Sequence, residues 1–169
     1  MIINDRYGIG LGARKITVST CGIIPGIKKL QNLGIQVELS VSLHSPDNAT
    51  RNELVPANRK YPLNDLVKEL KIYTVQTGRV VTLEYAVVPG KNDSMKDADG
   101  LAKIAKDIKA KVNLIRCNPT RGFSTTSKGE GSLRAFSDRL KKHGVNVTVR
   151  RSMGSDISAA CGQLAMRTR

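Results

Sequence analysis

Residues 35–44 alternate apolar and polar side chains without interruption, in the segment IQVELSVSLH. The apolar members are Ile35, Val37, Leu39, Val41 and Leu43, and the polar ones are Gln36, Glu38, Ser40, Ser42 and His44. Because successive side chains of a strand point to opposite faces, this pattern predicts a β-strand with one apolar and one polar face.

Similar strand patterns recur along the chain and alternate with segments of helical periodicity. Strands are predicted over 15–22, 35–44, 79–90, 112–119 and 145–152, with helices over 23–34, 62–78, 93–111 and 132–144. In the second helix we expect Leu63, Leu66, Val67, Leu70 and Val75 to share the apolar side. Alternation of this kind predicts an α/β fold of parallel βα units with right-handed crossovers. Ligands of such sheets bind at the carboxyl ends of the strands, here 19–22, 42–44, 84–89, 118–119 and 150–154.

The charge of the chain points to a polyanionic partner. Lysine and arginine number 28 against 14 acidic residues, for a net charge of +14. With aromatic residues at 4% and no tryptophan, extensive stacking on nucleic-acid bases is not expected. The candidates for phosphate contacts lie at strand ends or in the polar loop after Pro119: Arg116, Arg121, Lys128, Arg150 and Arg151. The alternative for each is an ordinary solvated charge.

The three cysteines, Cys21, Cys117 and Cys161, are too widely spaced for a metal clip and odd in number. A disulfide framework and an in-chain metal site are therefore disfavoured, and a reducing, cytoplasmic setting fits best. Residue types alone favour structural roles for Cys21 and Cys117, and equally for Cys161, as a lone cysteine in a helix-forming segment. No apolar run approaches the length that spans a membrane.

Two strand ends carry polar groups suited to a binding site. His44 closes the alternating strand and is interpreted with equal weight as a site residue or as a satisfied strand-end histidine. Asp47 is expected to cap the next helix. Asn118, restrained by Pro119, offers a rigid donor and acceptor at the end of another strand.

Five segments together resemble a known family. They are ITVSTCGIIPGI, VSLHSPDNATRNELVPANRKYP, VVPGKNDS, NLIRCNPT and DISAACGQL, and they follow one another from about Arg14 to Leu164. In this order they resemble the C-terminal half of the RlmN and Cfr radical S-adenosylmethionine methyltransferases, which modify adenine 2503 of 23S rRNA. The resemblance implies a partial (βα) barrel of the radical SAM type that lacks its first strands, with residues 1–169 as the C-terminal portion of the core domain.

The resemblance also implies roles for individual residues. Ser19, Ser42, Leu43, His44 and Asn118 correspond to contacts with S-adenosylmethionine. Cys161 corresponds to the catalytic cysteine that is methylated and then carries the carbon to RNA, which reverses the structural interpretation of that residue. In the family a [4Fe–4S] cluster cleaves a second S-adenosylmethionine to a radical that activates the S-methyl group. The implied partners are 23S rRNA and, as a further substrate, adenine 37 of tRNA.

Several parts of the family pattern do not occur in this sequence. These are the Cys-x3-Cys-x2-Cys cluster loop, the Gly-Glu-Pro motif, the second catalytic cysteine and the N-terminal RNA-binding domain. Met1 is therefore expected to be an internal start, in a truncated product or one half of a split gene, with no turnover by the chain alone. Three functions stay open: methylation at C2, methylation at C8 as in the Cfr branch, and a basic RNA-binding fragment without catalysis.

Overall fold

The computed structural model describes residues 3–116 and 129–150. Strands and helices occur in the order β1 Thr17–Thr20, α1 Ile24–Asn32, β2 Glu38–Ser42, α2 Asn48–Leu54, α3 Leu63–Thr77, β3 Val81–Val87, α4 Met95–Asp107, β4 Lys111–Arg116, α5 Gly129–Lys142 and β5 Val147–Arg150. The predicted strand and helix order is confirmed. The strands are shorter than predicted because backbone pairing, rather than side-chain alternation, sets their ends.

The sheet has the sequential order β1-β2-β3-β4-β5, and every neighbouring pair is parallel. Right-handed crossovers between strands that are neighbours in sequence place the connecting helices on one face of the sheet. A single apolar core forms there, and it joins Ile27 of α1, Leu70 of α3, Leu101 of α4 and Phe136 of α5. The sheet is thus an arc with one helix-covered face and one polar face, as expected for part of a (βα) barrel.

The alternation of β2 and β3 separates these two faces. Leu39, Val41 and Leu43 are at most 2% exposed, and in β3 every second residue from Val81 to Val87 is buried. Between them, Ser40 and Ser42 of β2 and Thr82 and Glu84 of β3 give the other face its hydroxyl and carboxylate groups. The apolar face therefore drives packing, and the polar face is available for ligands.

One prediction for the core-facing side of α3, that of Val75, is wrong. Val75 is 78% exposed, whereas Leu66, Leu70 and Tyr73 are buried. Val75 follows Leu66 by nine residues, which at about 100° per residue places it on the opposite side of the helix.

Gly100 lies within α4, where a glycine normally weakens a helix. A Cβ on Gly100 would lie 2.8 Å from the Cβ of Pro46. The glycine therefore allows α4 to approach the loop that follows β2. Over residues 3–116 and 129–150, no helix combines the length and apolar character needed to cross a membrane.

Candidate functional site at the carboxyl ends of the strands

A continuous row of polar residues crosses the face of the sheet opposite the helices of the described ranges. Ser42 of β2 is opposite Glu84 of β3, Glu84 is opposite Asn113 of β4, and Asn113 is opposite Thr148 of β5. A second row begins with Ser19 of β1 opposite Ser40 of β2. Ser42 ends β2 and Ser19 lies next to the end of β1, at the carboxyl end of the sheet where parallel folds bind ligands, whereas Glu84, Asn113 and Thr148 lie within their strands.

The segment Ser42–His44 leaves β2 in an unusual conformation. His44 has φ 57, in the left-handed region that few non-glycine residues adopt. The amide of Ser45 donates to the carbonyl of Leu43 over 2.8 Å, which closes a three-residue turn around His44. The Leu43 amide donates to the Glu84 carbonyl at 2.9 Å and so fastens the turn to β3. Strain of this kind persists only where surrounding contacts hold it.

The ring of His44 has a defined protonation state. The Ala86 amide donates to Nδ1 over 3.0 Å, so Nδ1 is the acceptor and Nε2 carries the proton of the neutral ring. Burial, together with the nearby positive charge of Arg51, lowers the pKa of His44 to about 4. The ring is therefore a neutral Nε2–H donor at physiological pH.

Asn92 holds the same turn from the other side. This residue is fully buried, and its Nδ2 donates to the carbonyls of His44 at 2.7 Å and Ala86 at 2.8 Å. Its Oδ1 accepts from the Val88 amide at 2.6 Å. Every polar atom of the Asn92 side chain is thus satisfied, and the position of the His44 backbone is fixed relative to the end of β3.

A buried arginine joins the ends of β1 and β2. Arg51 is 0% exposed, and its guanidinium donates to the carbonyls of Leu43 at 3.0 Å, Cys21 at 2.9 Å and Ser42 at 3.3 Å. Nη1 donates to Oδ1 of Asn58 over 2.6 Å. Burial lowers the pKa of Arg51 from its ordinary value. An arginine remains charged even so, and the carbonyl dipoles satisfy its donors.

Asp47 caps α2 as predicted, since its Oδ1 accepts from the Thr50 amide at 2.9 Å. Hydrogen bonds from Thr50 and Ser45 hold the pKa of Asp47 below its ordinary value, against the opposing and largest single influence of burial. Cap formation aligns α2 so that Arg51 reaches back toward the strand ends.

The predicted site residues fall into three groups, and the third consists of the basic residues Arg116 and Arg150 at two strand ends. Ser19, Ser42, Leu43 and His44 lie together at the ends of β1 and β2, with Leu43 buried in the core and Ser19 exposed. Outside the described residues lie Cys117, Asn118, Arg121, Lys128, Arg151 and Cys161. The roles predicted for these residues stay predictions.

Two of the basic candidates end neighbouring strands. Arg116 closes β4 and Arg150 closes β5, where Arg150 is opposite Ile115. Strand alternation places Arg150 on the polar face of the sheet and Arg116 on the face of Leu114. The side chains of Arg116 and Arg150 therefore leave the carboxyl end of the sheet on opposite faces.

Metal ligands are scarce in the described part of the chain. Residues 3–116 and 129–150 contain no group of three histidine, cysteine or acidic side chains placed to hold a metal ion. Cys21, the cysteine that lies within these ranges, is free and exposed. These residues do not fit an iron–sulfur cluster.

Sequence reasoning missed the residues that fix the site, namely Arg51, Asn58 and Asn92. Each lies in a polar loop or short helix and is buried by tertiary contacts. A weak signal was available: Arg51 lies among polar residues directly after the polar strand end, where a long donor can reach back to unpaired carbonyls.

Comparison with known proteins gives concordant results. The chain is 45% identical over 170 residues to a probable dual-specificity RNA methyltransferase RlmN of Geobacillus kaustophilus, covering 99% of this chain and 46% of that protein. It is 46% identical over 166 residues to the corresponding protein of Caldicellulosiruptor saccharolyticus, covering 98% of this chain and 48% of that one. No family model matches the chain.

Solved structures agree with the sequence relatives. The crystal structure of a radical SAM methyltransferase from Sphaerobacter thermophilus superposes with a TM-score of 0.90 at 43% identity, covering 96% of this chain and 48% of that one. A domain of pyruvate-formate lyase-activating enzyme from Bacteroides vulgatus shares the fold, with a TM-score of 0.61 at 14% identity.

The one-sided arc of parallel βα units, with polar strand ends on its open face, is the architecture of radical SAM enzymes. The chain is similar over nearly its whole length to RlmN radical SAM methyltransferases, which confirms the resemblance of its sequence motifs, and it spans about half the length of the relatives that it matches.

Proposed function

We propose that residues 1–169 form the C-terminal portion of a radical SAM enzyme that methylates C2 of adenine 2503 in 23S rRNA and adenine 37 of tRNA. The observation that carries the proposal is the rigid Ser42–His44 turn beside Ser19, in a chain 45% identical to an RlmN protein. We propose methylation at C2 rather than at C8 because the C2-methylating branch of the family is the larger one.

S-adenosylmethionine fits the polar strand ends. Serine hydroxyls, backbone groups of the His44 turn and the Nε2–H of His44 offer both donors and acceptors for an adenosine group. We assign Ser19, Ser42, Leu43, His44 and Asn118 to its binding. S-adenosylmethionine, when bound, supplies an activated methyl group. The proposed role of these residues is to orient S-adenosylmethionine, with His44 acting as a fixed neutral donor.

We assign Cys161 as the methyl acceptor and carrier. A cysteine is a good acceptor only as the thiolate, and neighbouring cationic residues favour that form. The sequence places Arg150 and Arg151 ten residues or so upstream. In the proposed role the Cys161 thiolate would donate an electron pair to the methyl carbon of S-adenosylmethionine and become a methyl thioether. The bond from that carbon to the sulfonium sulfur would break, its electron pair would stay on that sulfur, and S-adenosylhomocysteine would leave.

The [4Fe–4S] cluster of the family has no ligand set among the described residues. We infer that a segment outside this chain, in the same or a separate polypeptide, holds the cluster. Accordingly the purified chain is expected to show no iron–sulfur absorbance after reconstitution with iron and sulfide. A stable cluster on the chain alone would contradict this assignment.

The basic residues Arg116, Arg121, Lys128, Arg150 and Arg151 are proposed to contact RNA phosphates, in the cytoplasm where ribosomes and tRNA occur. A net charge of +14 supports a polyanionic partner. Phosphate contacts lose affinity as salt rises, so Arg150→Gln should weaken binding of a 23S rRNA fragment and reduce the salt slope by about one. Arg14→Gln is the control, because Arg14 precedes β1 and so lies near the amino ends of the strands.

The central experiment supplies the cluster-binding half of a relative in trans. The chain is mixed with the cluster-binding half of the Geobacillus kaustophilus relative, S-adenosylmethionine, a reductant and a 23S rRNA fragment, and both Cys161 and adenosine are analysed by mass spectrometry. We expect S-methylation of Cys161 and 2-methyladenosine in the RNA. Cys161→Ala should abolish both products, while Cys21→Ala, which alters an exposed cysteine at a strand end, should retain them.

The same measurement separates the alternatives. A methyl group at C8 would place the chain in the Cfr branch. Salt-dependent RNA binding with no methylation of Cys161, even beside the complementary half, would favour a non-catalytic RNA-binding fragment.

A further inference from the structure

The backbone ladder between β1 and β2 stops before the polar strand ends are reached. The last paired residues are Thr20 and Val41. Beyond this point the carbonyls of Cys21 and Ser42 have no partner across the two strands. Both carbonyls are bonded by Arg51, at 2.9 Å and 3.3 Å. The guanidinium therefore continues the connection where the sheet ends.

The surroundings of Arg51 are shaped for its guanidinium. A Cβ on Gly22 would lie 3.0 Å from Nη2 and 2.9 Å from a methyl carbon of Leu66, so the glycine leaves the space that the group fills. On the other side, Asn58 accepts from Nη1 while its own Nδ2 donates to Asn48 and Asn52. The arginine is thus fixed by its acceptors and by packing.

Burying a charge is costly unless its donors are satisfied. No carboxylate forms an ion pair with Arg51 within the described ranges, and its acceptors are three backbone carbonyls and one amide oxygen. An apolar side chain could fill the same volume but would leave the carbonyls unpaired. Arginine offers five donors in a rigid plane, which one lysine nitrogen cannot match.

We propose that Arg51 is a positioning residue for S-adenosylmethionine. By bonding Cys21 on one strand and Ser42 and Leu43 on the other, it sets the separation of the Ser19 strand end from the Ser42–His44 turn. It touches backbone carbonyls rather than the cofactor. This inference rests on the proposed function, because it assumes that these two segments bind the same molecule.

The test compares Arg51→Lys with Arg79→Lys in the purified 169-residue chain. Arg79 is a matched control, since its Nη1 donates to the Val37 carbonyl at 2.5 Å and pairs with Glu38 at 3.7 Å, at the amino end of β2. Both variants keep the charge and lose the planar fork. Only Arg51 lies at the end of the sheet assigned to the cofactor.

Two readouts are measured on each variant: the Kd for S-adenosylmethionine by titration calorimetry, and amide hydrogen exchange of residues 20–22 and 42–45. Arg51→Lys should raise the Kd about tenfold or more and speed exchange in both segments. Arg79→Lys should leave the Kd within about twofold of the unaltered chain. If Arg51→Lys fails to fold, Asn58→Ala, which removes the acceptor of Nη1 together with the Nδ2 hydrogen bonds to Asn48 and Asn52, should raise the Kd by a smaller factor.

The outcomes are distinguishable. An unaltered chain that does not bind S-adenosylmethionine contradicts the proposed function itself. An unaltered chain that binds, with Arg51→Lys binding equally well, or with both lysine variants weakened alike, overturns the positioning role and leaves Arg51 as a general stabilising residue.

Discussion

Two arginine clusters in this molecule use the same chemical groups in opposite surroundings. Arg51 is fully buried and bonds neutral carbonyls at the ends of β1 and β2. Arg139 of α5 is partly exposed and bonds Asp99 of α4 through two nitrogens, at 2.6 Å and 2.9 Å. Each cluster also has a histidine: His44 accepts from a backbone amide, and Nε2 of His143 lies 2.7 Å from the Asp99 carboxylate.

The comparison shows that burial, rather than the number of ionic contacts, decides what such a cluster can do. Arg139 and then His143 lower the pKa of Asp99 to about 2, yet solvent screens this exposed cluster, which serves to join α4 to α5. The buried cluster cannot exchange its partners for water, so it holds the strand ends in one arrangement. Four experiments test this contrast.

The largest effect is expected for Arg51→Met. The variant fills much of the volume but leaves the carbonyls of Cys21, Ser42 and Leu43 without a donor, so we expect a loss of about 3–5 kcal/mol in the free energy of unfolding by urea. Arg139→Met should cost far less, because water replaces its partner. Equal losses for the two variants would refute the contrast.

The second effect is a pH dependence that comes from His44. Its folded pKa of about 4 lies below the ordinary value of 6.5, so the unfolded chain binds more protons between these values. Stability is therefore complete above about pH 6.5 and falls as the pH drops toward 4, by at most roughly 3 kcal/mol from this group.

His44→Gln should flatten the measured dependence of unfolding free energy between pH 6.5 and 4. A slope that survives His44→Gln unchanged would show that other groups produce it.

The third effect concerns the glycines beside the two clusters. Gly22 has φ +100, and an added Cβ would approach both Leu66 and Arg51 within 3.0 Å, so Gly22→Ala should cost about 2 kcal/mol or more. Gly144 follows His143 with φ +77 and open space around it, so Gly144→Ala should cost about 1 kcal/mol, from the backbone alone. Thermal unfolding of the two variants gives the difference, which vanishes if the Arg51 site can adapt.

The smallest effect is expected for Asp99→Asn. Because the Asp99 side chain is 41% exposed, its ion pair should contribute little, and that little should disappear in about 1 M salt, where the screening length is near 3 Å. The measurement is the difference in midpoint of urea unfolding between the variant and the unaltered chain at low and high salt. A difference that persists at high salt would mean that the cluster behaves as a buried one.

Much of the fold could be predicted from local patterns. The alternation over residues 35–44 assigned β2 and its two faces correctly, and Asp47 was identified as a helix cap. Val75 was assigned wrongly because Tyr73, rather than Val75, completes the buried side of α3. A periodic pattern of apolar residues shows which side of a helix is apolar on average, but the neighbouring helix decides where that side ends.

The candidate site was predicted less completely. Ser19 and the Ser42–His44 turn were identified by strand position and by family resemblance. Arg51, Asn58 and Asn92 were not, because a polar residue in a loop looks like a surface residue until its partners are known. Arg51 contacts Cys21 across 30 positions of sequence, and Asn92 contacts His44 across 48.

The sequence by itself determined the order of strands and helices, the polar face of the sheet and the family, since these depend on local periodicity and on residues in a fixed order. Only the tertiary structure decided which polar side chains are buried and which carbonyls they bond. Those bonds form between segments that are distant in the chain, and their free energy depends on the exclusion of water, which no local pattern specifies.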